Sequence, residues 1–383
     1  MVKKKYWSRW TEREPWIRAC DAASHALVAG EPVHAVAAAL KDARVAVMGG
    51  RARMPRSLGR VYAGSITRFL GSSFKGVLQR TIPIPAQSQS VHDVRETELR
   101  VLKVALNAAG TVLVALIDEV NYSDIDKVNV DHHDWSLQTI DFATATPLRR
   151  RFRNKWAHPF DLSVAPDGGI FVTVEEAVKG GMIYAFTPHL ELAQPKPEFN
   201  VMGTYNHASC IAANDSVVVF VQYGSCDLVV LSRDGAFRGR RFALRDSPGW
   251  CPVRPAWSKM CFVTGDGHDG DARVAIARNN EARVCIVRIA DGTVLRDMRF
   301  DLSGLPRVAP MGKCVINAIA CSPFGELIMS SIAFNTMVVF TPDGKATATS
   351  HEPGRWQARS VALHPSGALL ELCLDAMHVN VYV

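Results

Sequence analysis

Histidines and carboxylates gather at two places in this chain of 383 residues. The first is DHHD, residues 131–134. Imidazole and carboxylate are the donor types of a divalent transition-metal site, but the run reads as the tip of a hairpin, where adjacent histidines meet water. The second is GDGHDGD, residues 265–271, which has the composition of a calcium loop without the downstream bidentate glutamate such loops use. A catalytic zinc needs three protein ligands around an open position. His158 and His207 are the two histidines that fall near the starts of inner strands in neighbouring repeat units, in registers two residues apart. The sequence holds no Gly-x-Ser-x-Gly, His-Glu-x-x-His or P-loop motif. No acid–base pair is nominated, and no catalytic residue, metal or cofactor is expected.

Arginine carries the other chemistry. One cluster is Arg51, Arg53, Arg56 and Arg60; a second is Arg149, Arg150, Arg151, Arg153 and Lys155. A guanidinium pairs bidentately with phosphate or carboxylate, so such clusters suit recognition of either. The net charge is +7, and it lies at one end: residues 1–80 hold 15 Lys/Arg against five Asp/Glu. At the N-terminus Lys3, Lys4, Lys5, Arg9 and Arg13 interleave with Tyr6, Trp7, Trp10 and Trp16. That pattern suits a phosphate backbone with stacked bases, a membrane interface, or a tail packed on a folded body.

Nine cysteines, an odd number without a Cys-x-x-Cys pair, sit mostly inside apolar runs. They are expected to act as small hydrophobes in a reducing compartment. The basic start lacks the apolar stretch of a secretory signal. The most apolar run, Val101 to Ile117, is broken by Lys103 and Asn107 and reads as two strands rather than a membrane span. The chain is therefore expected to be intracellular, cytoplasmic or nuclear.

The elements that position these residues come from a repeat. HPFDLSVAPDGGIFVT (158–173) is strand, tight turn, strand, with Pro166-Asp167-Gly168 at the turn. Glycine and Asx residues belong there because they tolerate positive φ. The same shape recurs with turns near 43, 110, 215, 259, 325 and 367, a mean spacing of about 54 residues. A second hairpin follows each copy, MVVFTPDGKATATS (337–350) being the clearest and KVNVDHHDWSLQTIDF (127–142) another. Two hairpins make four antiparallel strands per unit. The last unit stops one strand short at VNVYV (379–383).

The Pro-Asp-Gly turns at 166–168 and 342–344, with Pro-Ser-Gly at 365–367, carry a resemblance to the NHL-repeat and WD-repeat β-propellers. It spans roughly residues 16–383 and is divergent, with no Gly-His…Trp-Asp signature. It implies an all-β fold, a single propeller of seven four-stranded blades behind a basic, aromatic tail (1–15). An N-terminal strand, IRAC (17–20) or HALVAG (25–30), is expected to complete the last blade. Six blades remain if residues 31–50 form the amphipathic helix they also fit.

A propeller's strands run a to d from the axis outward, so sequence position predicts the face. Both arginine clusters are expected on the face of the b–c loops and d-to-a connections. Asp118, Glu119, Asp124, Asp126, Asp266, Asp269 and Asp271 are expected on the same face. Arg100, His158, Tyr205 and Gln357 are placed where inner strands begin, with His207, Asn317 and Arg359 two residues on; together they form a polar channel mouth holding no carboxylate. The resemblance implies a non-catalytic binding platform for protein partners. RNA or another polyanion is the second expected partner class, and a metal-dependent lyase or lactonase the third function.

Overall fold

The computed structural model describes residues 78–84, 97–122, 130–155, 157–176, 180–193, 199–200, 208–222, 227–233, 239–244, 259–263, 272–278, 283–299, 316–321, 326–331, 336–340, 346–351, 358–364, 368–373 and 377–382. They form six four-stranded antiparallel sheets arranged as the blades of one β-propeller. The first strand of the described chain, β1 (Leu78–Pro83), belongs to the last blade. Blade 1 is β2 (Thr97–Leu106), β3 (Val112–Tyr122), β4 (Val130–Asp141) and β5 (Pro147–Lys155). Blade 2 is β6 (Ala157–Val164), β7 (Ile170–Glu176), β8 (Gly180–Phe186) and β9 (Phe199–Asn200). Blade 3 is β10 (Ala208–Ala213), β11 (Val217–Gln222), β12 (Asp227–Ser232) and β13 (Arg240–Ala243). Blade 4 is β14 (Lys259–Val263), β15 (Arg273–Arg278), β16 (Arg283–Arg288) and β17 (Val294–Arg299). Blade 5 is β18 (Ile316–Cys321), β19 (Leu327–Ser331), β20 (Thr336–Phe340) and β21 (Ala346–His351). Blade 6 is β22 (Ala358–Leu363), β23 (Leu369–Cys373), β24 (His378–Tyr382) and then β1.

Second strands such as β11, VVVFVQ, are apolar on both faces because a blade is covered on both sides by its neighbours. Six apolar cores result, one in each seam. Leu116, Leu137, Leu162 and Val172 fill the seam between blades 1 and 2. Ile82, Ile117, Leu370 and Val379 fill the seam between blades 6 and 1. Inner strands touch in cyclic order, β2 with β6 round to β22 with β2, so six blades close the ring. Of the two counts the repeat allows, six is found. The candidate seventh unit at 33–50, with IRAC and HALVAG, lies outside the described residues. The vacancy in the last blade is filled instead by β1, which pairs with β24 from Leu78 opposite Tyr382 to Pro83 opposite His378. Each edge removed by such closure removes a row of unpaired amides.

The first turns at Gly110 and Gly168 have φ of 71° and 87°, as the turn chemistry requires. Asn214 makes the third, its Oδ1 accepting the N–H groups of Ser216 and Val217 at 2.9 and 2.8 Å. Three sequence expectations are corrected. Lys259 is not at a turn but opens the inner strand β14. The run 265–271, with Asp266, Asp269 and Asp271, lies outside the described residues. Residues 127–142 are not a hairpin: DHHD lies within the single strand β4, held in register because Trp135 is fully buried. Arg149, Arg150, Arg151, Arg153 and Lys155 are not in a connecting loop but in the outermost strand β5, whose Arg149 stands opposite Thr139.

Candidate functional site

The inner strands carry a repeated irregularity that sets the axis. In five blades strand a bulges against strand b: between Val101 and Lys103, Pro159 and Asp161, Ala208 and Cys210, Ile316 and Ala318, and Ala358 and Ser360. The next residue on each inner strand, such as Val104, Leu162, Ile211 or Met260, packs into the seam with the preceding blade. Lys103, Asp161, Cys210, Lys259, Ala318 and Ser360 thus occupy one equivalent position around the ring. Asp161 is fully buried. Its Oδ2 accepts the Ile211 N–H at 2.9 Å from the next blade, and Ser360 Oγ accepts the Val104 N–H at 3.3 Å in the same way. In these two seams a polar inner-strand residue thereby satisfies an amide of the next blade's inner strand.

Charge collects at this layer. Lys103 Nζ lies 2.5 Å from Asp161 Oδ1. Lys259 holds the equivalent position in blade 4 and is half-buried. Loss of hydration pulls its ammonium pKa below the ordinary lysine value, the attraction of Asp161 only partly countering it. Burial first, and Asp161 second, push the Cys210 thiol up to about 12, so it is no nucleophile at neutral pH.

A second cluster stands at one mouth, on the face of the b–c loops. Asp118 and Glu119 were expected in a loop. They lie instead within β3 and are buried, because the strand continues to Tyr122. Asp118 pairs with Trp135 across β4, so His133, two residues back on β4, reaches the carboxylate diagonally. His133 Nδ1 is 3.0 Å from Asp118 Oδ1, and His158 Nδ1, on the second residue of β6, is 3.8 Å from the same oxygen. The two Nδ1 atoms are 3.3 Å apart. Burial alone raises the Asp118 pKa, but hydrogen bonds and charge from His133 and His158 together hold it below the usual aspartate value. The two rings meet edge to face with centroids 4.4 Å apart, and Phe160 braces His158 at 4.8 Å. Two imidazoles and a carboxylate within one such triangle can hold a cation. Glu119 does not join them; its Oε1 accepts the Ser136 hydroxyl at 3.0 Å.

Arg100, expected at the channel mouth, is the fourth residue of β2. Its Nε donates to Glu98 Oε1 at 2.6 Å, and Tyr122 donates to Glu98 Oε2 at 2.9 Å. The mouth therefore does hold carboxylates, Glu98 and Asp118, with Asp161 deeper on the inner strand. Asn317 and Arg359 are the second residues of β18 and β22, at the bulges. Arg51, Arg53, Arg56, Arg60, Tyr205, His207 and Gln357 lie outside the described residues, as do Asp124 and Asp126. The structure brings His158 together with His133 and Asp118. Sequence reasoning missed this because it read the charged end of β3 as a loop. The charged layer at Lys103, Asp161 and Lys259 was missed for want of the bulge; aligning the units on it puts all three in one register.

No protein-family model and no curated protein matches the chain. Among solved structures it is similar to Raptor from Chaetomium thermophilum at 10% identity and a TM-score of 0.46, over 86% of this chain and 31% of that one. It is similar to the Cps50 (Swd1) β-propeller domain of Myceliophteria thermophila at 11% identity and a TM-score of 0.43, over 75% of this chain and 99% of that one. Streptogramin B lyase is similar at 11% identity and a TM-score of 0.40, over 76% of this chain and 97% of that one. The chain thus spans 31% of the length of Raptor and nearly all of the other two. These are likenesses of fold, and no residue role passes from them to this chain. Among the described residues, no helix is long and apolar enough to cross a membrane.

Proposed function

We propose that the chain is a non-catalytic binding platform that holds a partner protein on its rim. The supporting observation is β5, the outermost strand of blade 1, which leaves a sheet edge carrying five basic residues in nine. The apolar faces of the blades are spent on the six seams, so recognition falls to edges and loops. A charged edge resists indiscriminate strand pairing. Arginine pairs bidentately with carboxylate, so a strand of this composition would select a partner with an acidic, extended segment. Cys210, Cys261 and Cys373 stand as thiols, which fits an intracellular partner.

The test is affinity purification of the full chain beside a variant with Arg149, Arg150 and Arg151 changed to Glu. The platform reading predicts one protein partner in stoichiometric amount with the native chain and its loss with the variant. A chain that purifies alone, or a partner retained by the variant, overturns it. If nucleic acid is recovered instead, with affinity falling steeply as salt rises, the strand tracks phosphates and the protein-partner reading is replaced.

A further inference from the structure

We propose that Asp118, His133 and His158 form a zinc site that joins blade 1 to blade 2. The inference is independent of the platform reading, and it rests on the triangle of donor atoms. Its edges are 3.0, 3.3 and 3.8 Å. At zinc bond lengths of about 2.0–2.1 Å, a tetrahedral ion spaces its donors about 3.3 Å apart, whereas an octahedral ion of that bond length spaces them about 2.9 Å apart. The observed edges average about 3.4 Å, and the circle through the three atoms has a radius of about 2.0 Å, so one ion reaches all three without movement of the strands.

The chemistry of the donors narrows the ion. Two imidazole nitrogens exclude the all-oxygen shells of calcium and magnesium. Mixed nitrogen and oxygen ligation in a tetrahedral frame is the ordinary habit of zinc. In the metal-free arrangement both Nδ1 atoms converge on the single oxygen Asp118 Oδ1 and on each other. Two ring nitrogens 3.3 Å apart require one to lend a lone pair to the other. A cation accepts a lone pair from both and from the carboxylate at once.

Position supports the same reading. Asp118 is buried on β3, whereas His133 and His158 are 27% and 38% exposed, so the triangle has a closed base and an open side toward the mouth. The open side leaves a fourth position for water. His158 is the second residue of blade 2, immediately after the connection from β5, and the other two ligands lie in the middle strands of blade 1. The ion therefore fastens two blades at the point where the chain passes between them.

The experiment uses the full chain, stripped with a chelator, dialysed and titrated with zinc, with bound metal counted by atomic emission. A parallel titration with cobalt(II) reads geometry through the visible bands. The expected result is one zinc per chain, strong tetrahedral cobalt bands, and affinity at least about a hundredfold weaker in His133→Ala and in His158→Ala. Both histidines are partly exposed, so these variants keep the fold, which circular dichroism checks. Equal binding by the native chain and the His133→Ala/His158→Ala double variant overturns the site. Stoichiometric binding with weak, octahedral cobalt bands overturns its assignment to zinc.

Discussion

Replacing Asp161 with Asn removes one charge and almost no volume, and it tests whether the charged layer holds the ring together. The amide oxygen of Asn can still accept the Ile211 N–H, so the inter-blade hydrogen bond survives the change. What is lost is the anion 2.5 Å from Lys103 Nζ. Removing one partner of a buried pair costs about 3–5 kcal/mol because the other charge is stranded. Lys103 retains 18% exposure while Asp161 has none, so Lys103 recovers part of its hydration. The expected loss is therefore about 2–4 kcal/mol. Lys259, whose ammonium the same carboxylate attracts, adds to it. Urea unfolding reads the loss as a lower midpoint with an unchanged slope. Converting Lys103 to Met in the same chain should return about 1–3 kcal/mol, since the stranded charge is gone. A single variant within about 0.5 kcal/mol of the native chain, or strict additivity in the double variant, would refute the reasoning.

Other perturbations have equally definite outcomes. Because the Lys259 pKa is lowered in the fold, the unfolded chain binds more protons below its ordinary 10.5. Stability should therefore rise with pH as that window is crossed, and Lys259→Met should flatten the rise in a urea series; an unchanged slope contradicts the placement. Cys210, with its thiol pushed up to about 12, and Cys261, whose thiol is also held well above its ordinary value, should escape iodoacetamide in the folded chain and react in urea, as peptide mass mapping will show. Gly168→Ala forces a side chain onto a φ of +87° with Pro188 Cγ 2.9 Å from the new carbon. It should cost about 1–2 kcal/mol in the same urea assay, and a neutral result would remove the turn from the account. Zinc at about a hundredfold over its dissociation constant should add about 2.7 kcal/mol to the native chain and nothing to His158→Ala.

The sequence made the hairpins legible wherever turn chemistry was local. Pro166-Asp167-Gly168 and Asn214-Asp215 stand where they were expected, since a positive φ or an Asx turn is written in two or three residues. The fold class followed from the repetition of such turns. What failed were segments whose polarity is satisfied at a distance. Asp118 and Glu119 looked like loop residues, yet His133, His158 and Ser136 from other strands let them lie buried in β3. Lys259 looked like a turn residue inside an apolar run, and it is an inner-strand residue whose charge is attracted by a carboxylate of another blade. DHHD looked like a hairpin tip because nothing in its own stretch reveals that Trp135 anchors it in a seam. The candidate site consists of such long-range pairings, so of its three residues the sequence singled out His158 alone as a strand residue near the channel mouth.

Ring closure by Leu78–Pro83 is the claim on which the six-bladed platform depends. Thr81 and Asn380 are register partners on β1 and β24, with Thr81 Oγ1 3.2 Å from Asn380 Oδ1. Cysteines placed at both positions should form one intramolecular disulfide under mild oxidation, mapped by mass spectrometry, in a chain of native circular dichroism. With Cys373, whose Sγ lies 3.5 Å from Asn380 Nδ2, changed to Ser in the same chain, a folded protein in which the two cysteines stay reduced would mean that another strand closes the last blade.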